Sequence, residues 1–167
     1  MKKSLKIIPA FALAAVMLAL SGFGIGCTLT DRWNMASNVR DAANVLEINL
    51  TPSQLVFEDD SRDFQGWGHY YAEFDLSTPA PGFPENGHWR ELPMTEEMRS
   101  FMIGEGERFG HPFTEPAHGY WFLKTYTDKS GNSAWFGFDS EFAKTYYHAA
   151  FYDEDTGKLT IYYRAVF

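Results

Sequence analysis

Residues 111–118, His-Pro-Phe-Thr-Glu-Pro-Ala-His, place two imidazoles and a carboxylate within eight positions, and these are side chains from which zinc sites are made. The spacing is not that of a zinc helix. A His-Glu-x-x-His site needs both histidines on one helical face, and Pro112 and Pro116 forbid that helix. A loop site built on His111, Glu115 and His118 would need a fourth ligand, for which His69 and His88 are available, and it would suit an exported, metal-dependent hydrolase. The plainer reading is a pair of loop histidines whose rings are hydrogen-bonded or solvated.

Asp153-Glu154-Asp155-Thr156-Gly157 opens like a calcium loop, but the bidentate glutamate required at position twelve falls on Arg164. The same five residues make a hairpin turn. Glu58, Asp59, Asp60 and Asp63 form a denser acidic cluster, open to two readings: a calcium-attracting loop or a solvated turn. Covalent catalysis has little to build on, because there is no Gly-x-Ser-x-Gly elbow and the single cysteine, Cys27, lies beside an export signal. No glycine-rich phosphate loop occurs, and no cofactor is expected. The remaining signal is aromatic. Trp67, Tyr71, Trp89, Trp121, Trp135, Tyr147 and Tyr162 exceed what one face of a small sheet can bury. Either both faces are covered, or some rings line a groove where a peptide, a glycan or an envelope protein could stack. The candidate binding surface comprises Trp67, His69, Trp89, His111 and His118.

The amino terminus supplies an address. Lys2, Lys3 and Lys6 precede an uncharged apolar run from Ile7 to Leu20, the n-region and h-region of an export signal. A membrane-spanning helix over residues 7–26 is the competing reading, and Pro9 with Gly22, Gly24 and Gly26 argues against it. Ser21-Gly22-Phe23-Gly24-Ile25-Gly26-Cys27 resembles the processing site of bacterial lipoproteins, in which small residues precede a cysteine that receives diacylglycerol. Gly26 fits that pattern, whereas Gly24 stands where the family usually has leucine. The resemblance implies a lipid on Cys27 and an extracytoplasmic place on the cell membrane, with residues 27–31 as a tether. A lone cysteine also excludes an intramolecular disulfide. Removing residues 1–26 takes away three lysines and no acid, so the formal charge moves from −8 to −11 over 141 residues. Such a surface repels nucleic acid, which is excluded as a partner.

Periodicity indicates which elements must position these side chains. Met35, Val39, Ala42, Ala43 and Leu46 share a helical face, predicting a helix over 32–46 capped by Thr30 or Asp31. Residues 54–58 read as a short strand. Tyr70, Ala72, Phe74 and Leu76 alternate with His69, Tyr71, Glu73 and Asp75, predicting a strand with one wet side. Four prolines make residues 78–93 an irregular loop. Thr95 caps a second helix, with Glu96 and Glu97 in its first turn, Met94, Met98, Phe101 and Met102 as its buried stripe, and Gly104 as its end. A second loop is expected over 104–119. Residues 119–167 read as a four-strand meander, with strands at 120–126, 134–138, 146–152 and 159–167 separated by Asp-, Asn- and Gly-containing turns.

The fold expected is a single α+β domain over 32–167, in which a mainly antiparallel sheet of five or six strands carries both helices on one face. Its core would hold Tyr70, Phe74, Met98, Phe101, Phe122, Phe136, Phe151, Ile161 and Tyr163. Asp59-Asp60-Ser61-Arg62 with Gly66-Trp67-Gly68, then Trp89-Arg90-Glu91-Leu92-Pro93, then Gly119-Tyr120-Trp121-Phe122 and the closing hairpin resemble a group of small exported or membrane-anchored Firmicutes proteins. The resemblance spans roughly residues 55–167. It implies a Gram-positive membrane address and a shared fold, and it supplies no catalytic residues. The functional expectation is a tethered, non-enzymatic binding module, with the exported hydrolase as the alternative.

Overall fold

The computed structural model describes residues 35–63, 65–76, 87–128 and 130–166. Cys27, the residues around it, the start of the first predicted helix and most of the proline-rich loop lie outside these.

Helix α1 occupies residues 35–46, followed by a 3-10 turn at Pro52–Gln54 and the hairpin of β1 (Leu55–Asp60) and β2 (Gly68–Asp75). After the short β3 (Arg90–Glu91) comes α2 (Glu96–Phe109), then β4 (Gly119–Tyr126), β5 (Ser133–Trp135), β6 (Tyr146–Asp153) and β7 (Lys158–Ala165). The seven strands form one sheet in the order β1-β2-β7-β6-β4-β3, with β5 also on β4 and every pairing antiparallel. The fold is α+β, as expected. Among the described residues no helix is long and apolar enough to cross a membrane.

The expected meander is rearranged in one place. β5 pairs with residues 124–126 of β4, while β6 takes the whole length of the opposite edge. The chain therefore crosses from one side of β4 to the other over residues 136–145 instead of stepping along the sheet. Phe136 begins that crossing with φ 61°, which ends β5 three residues earlier than the alternation suggested.

The helices lie on opposite faces of the sheet, not on one. Val39, Ala42 and Leu46 of α1 pack with Tyr70, Phe74, Phe122, Ile161 and Tyr163. Met98, Met102 and Phe109 of α2 pack with Tyr71, Trp121, Tyr147, Phe151 and Tyr162. The reason is in the strands, whose alternate positions are large and apolar on both sides, so a bare second face would leave tyrosine and tryptophan rings in water. The predicted wet side of β2 is accordingly covered at Tyr71, which is 6% exposed. Of the expected core, Phe101 and Phe136 are half-buried and the other seven residues are buried.

A further correction concerns α2. Thr95 caps it as expected, accepting from the Met98 N–H at 3.3 Å. The helix runs through Gly104 to Phe109 and ends on Gly110, whose φ of 76° is left-handed. Gly106 is an internal residue for a different reason. A Cβ there would sit 2.5 Å from the Phe113 nitrogen and 2.8 Å from the His111 carbonyl, because the following loop doubles back onto the helix.

Candidate functional site

The doubling-back of residues 111–116 makes a cleft. On the face that α2 covers, β2 presents Tyr71 and Glu73, β6 presents Phe151 and Asp153, and β7 presents Lys158, Thr160 and Tyr162; the loop adds Pro112, Phe113, Thr114 and Pro116. The space within the cleft is about 230 Å³. Phe113 stands against Phe151 with ring centroids 4.7 Å apart, so the apolar wall joins loop and sheet.

Three attachments fix that loop. The His111 ring lies flat on Tyr71 at 4.0 Å, its Nε2 is 3.0 Å from Asp59 Oδ2, and its carbonyl accepts the Tyr162 hydroxyl at 3.2 Å. Glu115 accepts the Met94 N–H at 2.8 Å and Arg99 Nε at 2.6 Å, which ties the loop to both ends of the first turn of α2. Burial pushes the Glu115 carboxyl up, but those two donors and the Arg99 charge outweigh it and hold it below the usual range. His118 Nδ1 is 2.9 Å from Asp155 Oδ2, and the hydrogen bond and charge of Asp155 raise its pKa.

At the polar end of the cleft, Glu73 receives the Tyr71 hydroxyl on Oε1 and the Lys158 ammonium on Oε2, the latter at 2.7 Å. Burial raises the Glu73 pKa, and the hydrogen bonds from Lys158 and Tyr71 overcome it, so the carboxylate stays ionised below its usual range. Burial and the Glu73 hydrogen bond push the Tyr71 hydroxyl far above its ordinary pKa. Neither group is poised to exchange a proton near neutrality, which general acid–base catalysis requires. The cleft presents fixed charges and aromatic faces.

The residues singled out in the sequence are dispersed. Trp89 is 4% exposed and donates from Nε1 to the Leu46 carbonyl at 3.1 Å, so it belongs to the core beside α1. Trp67 is on that same face, half-buried near Tyr146, with its indole nitrogen 3.0 Å from Gln65 Oε1. His69 is on the α2 face against Phe109, and only His111 of the five abuts the cleft. His118 is exposed at the hairpin of β6 and β7. These residues do not form one surface. Nor do His111, Glu115 and His118 converge, since each is committed to a different partner. His88, the other fourth-ligand candidate, stacks on Trp135 and lies 3.2 Å from Glu47, on the α1 face. Among the described residues no group of three His, Cys, Asp or Glu could hold one metal ion.

The acidic stretches are turns and ladder residues. Asp153 accepts from the Asp155 N–H and the Thr156 hydroxyl, closing its own hairpin. Alternation along β1 sends Asp59 to His111 on one face, and Glu58 and Asp60 to the other, where Asp60 pairs with Arg62 and Asn38. Asp63 accepts the Gln65 and Trp67 N–H groups of its turn.

Sequence reasoning did not find Glu73, Phe113, Phe151 and Lys158 as site residues. The available hint was Glu73 two residues after Tyr71 on the same side of β2, but the partner that matters, Lys158, is reached only through the register of β2 with β7. No family model matches the chain, and no curated protein or solved structure matches it.

Proposed function

We propose that the chain is an extracytoplasmic lipoprotein, exported by residues 1–26 and held at the membrane through a lipid on Cys27, and that its α+β domain is a non-enzymatic binding module. The ligand enters the cleft between residues 112–116 and the ends of β2, β6 and β7. The observation that carries the binding role is the pairing of a fixed polar end, Tyr71-Glu73-Lys158, with an apolar wall of Phe113, Phe151 and Tyr162 in one cleft. Support for the address comes from the basic leader, the apolar run and Gly26-Cys27, together with the resemblance to lipoprotein processing sites and to small exported Firmicutes proteins.

Two experiments test the two halves. Cells expressing the full chain are fed an alkyne fatty acid: label is expected on the native protein and absent from Cys27→Ser, and label that survives in Cys27→Ser removes the anchor from Cys27. A small-molecule mixture screened by ligand-observed NMR against the full chain in detergent is expected to give ligands whose signal is lost in Phe113→Ala. Ligands unaffected by Phe113→Ala would put the binding site elsewhere.

A further inference from the structure

The ion pair at the polar end of the cleft offsets its own charge, yet its atoms have hydrogen bonds left to give. Lys158 Nζ lies 2.7 Å from Glu73 Oε2, so the pair by itself favours neither a cation nor an anion. Each Glu73 oxygen takes one donor from the cleft residues, Tyr71 on Oε1 and Lys158 on Oε2, and a carboxylate oxygen can accept two; the ammonium has three N–H groups and spends one on Glu73. Thr160 stands beside them on the floor, directly across from Glu73 on β2 and from Phe151 on β6. It is half-buried, and among the described residues its hydroxyl has no hydrogen-bond partner. The third charged residue of the lining, Asp153, is already engaged by the Asp155 N–H and the Thr156 hydroxyl of its own turn. Acceptor, donor and hydroxyl thus lie side by side, next to one wall ring with surface left to offer: Phe113 is half-buried, whereas Phe151 and Tyr162 are 2% and 1% exposed.

On the reading that this cleft is a binding site, we propose that its ligand is a saccharide, seated by a single pyranose ring. A hydroxyl is a neutral group that donates to a carboxylate and accepts from an ammonium at one atom. Two hydroxyls on neighbouring ring carbons engage Glu73 and Lys158 together, and one reaches Thr160. The C–H face of the sugar is apolar and rests against the part of Phe113 that Phe151 leaves uncovered. An ion of either sign would meet one member of the charged pair and be opposed by the other. A peptide group brings one N–H to the acceptor positions of Glu73 and Thr160, where a sugar brings several O–H groups. The space of about 230 Å³ is below the roughly 300–1,000 Å³ of pockets for drug-sized ligands, which limits what it seats to about one ring.

The probes are the methyl glycosides of glucose, galactose, mannose and N-acetylglucosamine, with cyclohexanol and N-acetylglycine N-methylamide as ring-only and peptide-only controls. Each is titrated into the full chain in micelles of a detergent that carries no sugar, and the amide shifts of Glu73, Phe113 and Thr160 are followed. At least one glycoside is expected to bind more tightly than either control, with an affinity that holds as salt is raised, because the ligand is neutral. That affinity is expected to fall about fivefold in Thr160→Val, the worth of one neutral hydrogen bond at a position where no bond within the protein is lost. Unchanged affinity in Thr160→Val overturns the proposal, and preserved shift dispersion establishes that the variant is folded. If either control binds the cleft as tightly as the best glycoside, the saccharide is wrong while the cleft stands as a site. If no probe moves the cleft amides, the saccharide inference falls, and the screen with Phe113→Ala decides separately whether the cleft binds anything.

Discussion

Tyr147 donates its hydroxyl hydrogen to Glu105 Oε2 at 2.7 Å, fastening the start of β6 to a carboxylate that α2 carries into the interior. Glu105 is 3% exposed and also receives Arg164 Nη1 at 3.1 Å and Arg108 Nη1 at 2.9 Å. A buried carboxylate survives only with such partners. Tyr147→Phe is expected to lower the unfolding free energy by about 1–3 kcal/mol, the cost of leaving one side of a buried carboxylate unsatisfied. Urea denaturation measures it. A loss under about 0.5 kcal/mol, within the range of ordinary surface substitutions, would mean that Arg164 and Arg108 suffice.

A histidine on the other face predicts the response to acid. His148 Nδ1 is sealed from solvent with no hydrogen-bond partner among the described residues, and the ring leans on Tyr163 at 4.4 Å. Burial, helped by Lys124 and Arg62, pushes its pKa down to about 3 from 6.5. The folded-state value is depressed, so the contribution is complete above pH 6.5 and is lost as pH falls from there toward 3. Between pH 7 and pH 5 the native protein is expected to lose about 1–2 kcal/mol through this group, and His148→Phe to lose less over the same interval. Equal losses in the two proteins would assign the acid sensitivity to other groups.

Two glycines of one helix should respond in opposite directions. At Gly104 a Cβ meets nothing within 4 Å, and Gly104→Ala is expected to raise stability by about 0.5–1 kcal/mol through helix propensity. Gly106→Ala drives a methyl into the returning backbone at Phe113 and is expected to cost about 1–3 kcal/mol and to shift the loop that walls the cleft. Thermal melts of the two variants give the comparison, and stabilisation by both would mean that the loop yields freely.

Trp89→Phe and Trp67→Phe distinguish a core tryptophan from a surface one. Leu46 ends α1, its carbonyl is among those with no partner inside the helix, and the Trp89 indole N–H supplies one. Its removal is expected to cost about 1–3 kcal/mol, whereas the hydrogen bond of Trp67 to the exposed Gln65 is worth little. Similar small losses at both sites would return Trp89 to the class of binding aromatics.

What was legible in the sequence was local. The Thr95 cap, the alternation of β2 and β7, and the turns at 128–132 and 153–157 each depend on neighbours within a few positions, and each is where periodicity and turn chemistry put it. The face that each helix covers was not legible. Alternation put Tyr70 on the core side of β2 and Tyr71 on a wet one, and nothing local to Tyr71 says that a second helix will cover it. Gly104 was read as a stop because a glycine inside a helix and a glycine that ends one are the same letter in the sequence, and the true end came at Gly110. The cleft was hidden for the same kind of reason: Glu73 and Lys158 meet through a strand pairing across more than 80 positions.

That pairing also sets a clock. β7 lies between β6 and β2, so the early hairpin of β1 and β2 has no partner in the sheet until residues 158–165 are available to zip against it. Contacts this distant along the chain close slowly, because the intervening loop must lose its freedom before any of them forms. A chain emerging residue by residue would carry the β7-facing edge of β2 unpaired until residues 158–165 follow. Delay of that kind is a hazard where chains crowd together, and an asset wherever a polypeptide has to be threaded before it folds.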